Sequence, residues 1–109
     1  MAYRVEWADS AISGLLEAVE YISMDSPSYA ASLAIQADRA ADSLSELPHR
    51  GRRVREYHDP DVRELIVGKS YRLIYRVAPD VVSVIAFVHA ARDLTRFVEE
   101  SGGSSTPGR

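Results

Sequence analysis

From residue 81 to residue 88 the chain is apolar at every position except Ser83. A run that short cannot cross a bilayer as a helix. It reads instead as a central strand of a sheet, buried on both faces. The residues before it support a sheet. Tyr71, Leu73, Tyr75 and Val77 alternate with Arg72, Ile74 and Arg76, so two unlike faces are presented at the two-residue period of a strand. Ala78-Pro79-Asp80 turns the chain from this strand into the apolar one. Upstream, residues 62–67 form another strand, and Gly68-Lys69-Ser70 closes a hairpin onto residue 71. Residues 52–57 form a short strand before the turn His58-Asp59-Pro60-Asp61.

The first half has a different texture. Tyr3, Val5 and Trp7 lie on one side of a short strand, with Arg4 and Glu6 on the other. Asp9 or Ser10 then caps a helix whose apolar stripe is Ile12, Leu15, Leu16, Val19 and Ile22, ending near Met24. Asp25-Ser26-Pro27 breaks the chain and Ser28 caps the next helix. In that helix Ala30, Leu33, Ala37, Ala40, Leu44 and Leu47 form a seam that Pro48 ends. With so short a turn between them, the helices form an antiparallel hairpin. The expectation is an α+β domain of order β-α-α-β-β-β-β, an antiparallel sheet with an N-terminal helical hairpin on one face. It occupies residues 1–100, with a short last helix over 91–100 and a flexible tail over 101–109.

Charge divides along the same line. The chain carries a net charge of −3. Up to Pro48 there are two basic and eight acidic side chains, and from His49 onward eleven basic and eight acidic. Twelve of the thirteen basic residues are arginine, whose planar fork of donors suits carboxylate or phosphate. A mildly acidic protein is not a general nucleic-acid binder, but its second half can present a basic surface to one specific partner. There is no cysteine, which rules out disulfides and thiol nucleophiles. With no apolar signal region near residue 1, a cytoplasmic location is expected.

Several chemistries have no residues to perform them. No glycine-rich phosphate loop, His-Glu-x-x-His helix or Gly-x-Ser-x-Gly elbow occurs. His49, His58 and His89 fall in separate segments, so neither a metal site nor a cofactor is expected. What remains is an arginine constellation: Arg52, Arg53 and Arg55, then Arg63, Arg72, Arg76 and Arg92. Arg72 and Arg76 point the same way from one strand. If helices leave that face open, it forms a cationic concavity for phosphates or acidic side chains. The competing reading is a solvated network with Glu56, Asp59, Asp61, Glu64 and Asp93. His89, beside Arg92 and Asp93, is either a general acid or base or a strand-end residue satisfying the backbone.

The segment Val62-Arg63-Glu64-Leu65-Ile66-Val67-Gly68, then Tyr71-Arg72-Leu73-Ile74-Tyr75-Arg76-Val77, resembles the hairpin of RelE/ParE toxins. So does Val88-His89-Ala90-Ala91-Arg92-Asp93-Leu94. The resemblance covers roughly residues 2–97. It implies the toxin of a bacterial type II toxin–antitoxin pair, which causes growth arrest and is neutralised by an antitoxin that wraps around it. RelE-type members cleave mRNA on the ribosome, and ParE-type members poison DNA gyrase. For a nuclease, the resemblance assigns Arg63, Arg72 and Arg92 to the scissile phosphate and His89 to proton transfer. Leu65 stands where a second basic residue is expected, and Phe97 and Val98 occupy the region of the family's catalytic tyrosine. The His-Ala-Ala-Arg-Asp-Leu ending is closer to the ParE branch, implying a gyrase inhibitor that acts by binding, with Arg52, Arg53, Arg55 and Arg76 as partner contacts. The alternatives are the ribosome-dependent nuclease and a degenerate toxin kept as a partner-binding module.

Overall fold

A computed structural model describes residues 2–92. The elements are β1 (Arg4–Trp7), α1 (Asp9–Ser23), α2 (Pro27–Ser43), β2 (Arg52–Arg53), β3 (Val62–Val67), β4 (Tyr71–Ala78) and β5 (Val81–His89). This is the expected order. The helix and tail expected beyond Arg92 lie outside the described residues.

The helix starts differ from expectation. Ala8 precedes α1 and has no side-chain acceptor to cap it, while Asp9 and Ser10 fall inside the helix and the Ser10 hydroxyl donates to the Ile85 carbonyl at 2.7 Å. For α2, Pro27 is not a break but the first helical residue, and Ser26 is the cap, accepting from the Tyr29 N–H at 3.2 Å. Proline suits that position because its missing N–H would have no intrahelical partner there and its φ is already helical. The helix ends at Ser43, short of Pro48, which leaves Leu47 61% exposed.

The five strands form one sheet in the order β1-β5-β4-β3-β2. β2 to β5 are antiparallel neighbours, as expected, but β1 lies parallel to β5, with Arg4 opposite Val81. The sheet is therefore mixed. The helical hairpin makes the crossover that a parallel return requires. β5 is the inner strand its composition demanded. The turn before it places Pro79 and Asp80 at its centre, with Asp80 at φ +78°, a left-handed conformation that aspartate tolerates better than most residues.

One irregularity reorganises the far end of the sheet. β4 and β5 pair in step from Ala78–Val81 to Tyr75–Val84, then Ile74 pairs with Ala86. Ile85 is the extra residue of a β-bulge. Beyond it, Phe87 rather than Ala86 faces the helices, and His89 sits opposite Tyr71.

The helices cover one face. Ala11, Ala18, Leu33, Ala37, Leu44, Leu73, Tyr75, Val82, Val84 and Phe87 form the main core there. The inward stripe of α1 is Ala11, Leu15, Ala18 and Ile22, and Ile12 and Leu16 are exposed. The small residues let α1 lie so close that an alanine at Gly14 would overlap the Phe87 carbonyl. The opposite face has its own smaller core, in which Val54 and Tyr57 pack on Val62, Ile74 and Ala86. Of the segment expected as a strand, residues 52 and 53 form β2 against β3, Val54 adds one hydrogen bond to the Val62 carbonyl, and the rest forms a loop across the sheet.

Tyr75 is fully buried, and its phenolic oxygen accepts the Gly51 N–H at 2.9 Å. Tyr75→Phe leaves that N–H unpaired and should cost about 1–2 kcal/mol, read as a lower urea midpoint at unchanged slope. Burial pushes the Tyr75 hydroxyl above its ordinary value of 10.0. Its contribution is full below the unfolded-state value and lost as pH rises through the folded one, so Tyr75→Phe should also flatten the alkaline loss of stability.

Candidate functional site

Arg72 and Glu64 stand on β4 and β3 on the sheet face away from the helices, and each is almost completely buried. Arg72 Nε donates to Glu64 Oε1 at 2.7 Å. Its Nη2 and Nη1 reach the two oxygens of Glu56 at 2.9 and 3.2 Å, a bidentate pair, and Nη1 also donates to the Arg92 carbonyl at 3.2 Å. Hydrogen bonding to Glu56, reinforced by Glu64, holds the guanidinium above its ordinary pKa against the opposing effect of burial. The other oxygen of Glu64 accepts from Arg52 Nε at 2.6 Å. A charged pair needs this degree of satisfaction to be buried at all.

Around this knot open two adjoining clefts. One, of about 320 Å³, is lined by Arg52, Arg53, Arg55, Glu64, Arg72 and Ala90. The other continues past Arg55 and Arg72 to Glu56, His58 and Arg92. The concavity expected for Arg72 thus exists beside that residue, but loop 54–61 rather than solvent covers most of the face. Arg76 pairs with Asp59. The Asp59 carboxyl sits below its ordinary value, first because it accepts the Asp61 N–H and then because of Arg76. Its contribution is present above the unfolded-state value and lost as pH falls through the depressed one, so Asp59→Asn should remove part of the acid-side loss of stability. Thermal melts of both proteins between neutral and acid pH check this.

The remaining candidates are dispersed. Arg63 donates to the Gly51 carbonyl at 2.9 Å, and its Nε is buried with no partner among the described residues. His89 lies on the helix side of the sheet, edge-on to Tyr71 at a centroid distance of 5.5 Å. Its Nδ1 accepts the Ala91 N–H at 3.1 Å, the strand-end arrangement weighed against a proton-transfer role. Arg92 borders both sides of the sheet end. The sequence reading names Arg52, Arg53, Arg55 and Arg72 within a larger constellation with Arg63, Arg76 and Arg92, and the structure lines one cleft with these four. The groove that the chain's pattern predicts between the helical hairpin and the sheet, for an amphipathic antitoxin segment, lies between α1 and the sheet, where Tyr71 stacks on Phe87 at 5.3 Å and Tyr21, Ala18, His89 and Arg92 complete the walls.

The model of the family described as the ParE toxin of the type II toxin–antitoxin system parDE matches residues 5–94. The chain belongs to the RelE/ParE toxin family. Toxin RelE2 of Caulobacter vibrioides is 37% identical to this toxin over 89 residues, covering 82% of the toxin and 97% of the relative. The fold recurs in the chromosomal ParDE toxin–antitoxin system of P. aeruginosa, at a TM-score of 0.65 and 17% identity over 81% of this chain and 96% of that one. It recurs also in the toxin–antitoxin complex RelBE2 of Mycobacterium tuberculosis, at a TM-score of 0.56 and 22% identity over 84% and 95%. These likenesses place the toxin's helical hairpin and five-stranded sheet in an architecture shared by both branches of the family.

Proposed function

We propose that this toxin acts by binding DNA gyrase and that a cognate antitoxin neutralises it. The observation that carries the first part is the separation of the nuclease candidates. Arg72 lies on one face of the sheet with its donors taken by Glu56, Glu64 and a carbonyl. His89 lies on the other face, against Tyr71. A phosphate held by one is not presented to the other, whereas cleavage through the 2′-hydroxyl needs cation and proton carrier at the same phosphate. A toxin that acts by binding has no such requirement. The match to the ParE model points the same way.

The alternative, ribosome-dependent mRNA cleavage, is favoured by the Caulobacter relative named RelE2. Gyrase supercoiling and mRNA cleavage on programmed ribosomes, measured with one preparation, separate the two. Gyrase inhibition without RNA cleavage is the expected result. Ribosome-dependent cleavage that disappears in His89→Ala overturns it. Growth arrest on expression, relieved by the antitoxin, separates an active toxin from a partner-binding module.

For the antitoxin, the groove between α1 and the sheet supplies the mixture of apolar and charged walls that an amphipathic segment needs. Tyr21, 69% exposed at its rim, offers a large anchor surface. Amides of α1 and the end of β5 should gain hydrogen-exchange protection when the antitoxin binds, and unchanged exchange there would contradict this placement.

A further inference from the structure

We infer that the Arg52–Arg53–Arg55 cleft takes an extended acidic peptide segment of the toxin's protein target, which adds to the edge of β2. The inference rests on the reading that the toxin acts by binding a protein.

Three observations lead there. The first is charge. Arg72 at the cleft floor is consumed by Glu56 and Glu64. Arg53 and Arg55 are exposed and, among the described residues, make no ion pair within 4 Å, although Arg53 lies near enough to Asp59 to help lower its pKa. The forks on offer are therefore those of Arg53 and Arg55, with Arg52 beside them already leaning on Glu64. Each can clasp a carboxylate in two parallel hydrogen bonds.

The second is the backbone. β2 is the last strand in the sheet, with β3 on one side and no described strand on the other. Val54 donates its N–H to the Val62 carbonyl, so this pair bonds across the ladder. In an antiparallel ladder bonded and non-bonded pairs alternate, so Arg53, one residue back and opposite Arg63, turns its N–H and carbonyl to the open edge. An incoming strand finds a donor and an acceptor there, with arginines flanking them.

The third observation decides against nucleic acid. The cleft walls are arginine, glutamate and alanine, with no aromatic ring on which a base could stack. A peptide also uses the open edge, which a nucleic acid does not.

The test measures fluorescence anisotropy of a short labelled peptide of alternating glutamate and threonine, which places its carboxylates on one side of a strand. Binding that weakens with salt, and falls by at least about tenfold in Arg53→Glu/Arg55→Glu, is the expected result. Circular dichroism melts of that variant check that the fold is kept, and Arg53→Gln/Arg55→Gln repeats the measurement without charge reversal. A peptide N-methylated at alternate residues should bind more weakly, and equal binding would overturn the edge pairing. Absence of binding to the wild type, equal binding to both variants, or displacement of the peptide by single-stranded RNA at lower concentration would overturn the site. Gyrase inhibition is measured on the same proteins. Its loss in the variants supports the assignment to the target, and its retention alongside lost peptide binding overturns that assignment. A wild type that binds the peptide but leaves gyrase untouched upholds the site and defeats only the gyrase reading.

Discussion

Arg72→Ala should lose about 3–5 kcal/mol of stability, because it leaves the buried Glu64 carboxylate and its neighbour Glu56 without their common cation. Domains of this size hold roughly 5–15 kcal/mol in total, so a large part of the folded population is at stake. The urea midpoint should fall steeply at an unchanged slope, and the melting temperature by more than about 10 °C. Arg72→Lys should rescue little, since a point charge cannot serve the bidentate Glu56 and Glu64 together. Arg72→Met combined with Glu64→Leu and Glu56→Gln should recover much of the loss, because apolar and neutral replacements avoid stranding a charge. A stable Arg72→Ala protein that had merely lost function would contradict this account and return Arg72 to the candidates for the scissile phosphate. The consequence for experiment is direct: inactivity of Arg72→Ala, taken alone, does not identify a catalytic arginine here.

Gly14→Ala should cost about 3 kcal/mol through overpacking, although alanine is the better helix former. The added methyl would meet the carbonyl oxygen and carbon of Phe87, which are backbone and cannot swing aside. Either α1 lifts from β5 or the strand bends. Both disturb the packing of Ala11, Ala18 and Phe87 and the walls of the groove assigned to the antitoxin. Calorimetry should show a lower melting temperature, and antitoxin affinity should weaken with it. A variant as stable as the wild type would mean that α1 does not ride this close to the sheet. The same glycine in an exposed helix would give the opposite sign, so the result reports directly on the contact.

Much of this architecture is legible along the chain. The bounds of β3 and β5 follow from their apolar patterning, and the two faces of β4 from its alternation, because both are local and a strand repeats every two residues. The family was readable from the segments around Arg72 and His89. The α1 stripe was only half legible. Ile12 and Leu16 have the spacing of a buried face, yet Ala11 and Ala18 are the residues inside, since a close approach to the sheet favours small side chains there over large ones.

Other features depend on partners remote in sequence. That β1 lies parallel to β5 requires the helical crossover to have been built, and no residue in 4–7 records its direction. The bulge at Ile85 decides more. Without it, Tyr71 would face Val88; with it, Tyr71 faces His89 and stacks on Phe87, which creates the groove. An alternating pattern carries no mark of one extra residue when both faces of the strand are apolar. Arginines were therefore nameable from the chain, but which of them are spent on buried carboxylates and which remain available was decided by the tertiary structure. Loop 54–61 brings Glu56 and Asp59 over the sheet, and ion pairing depends on distances that only the closed fold sets.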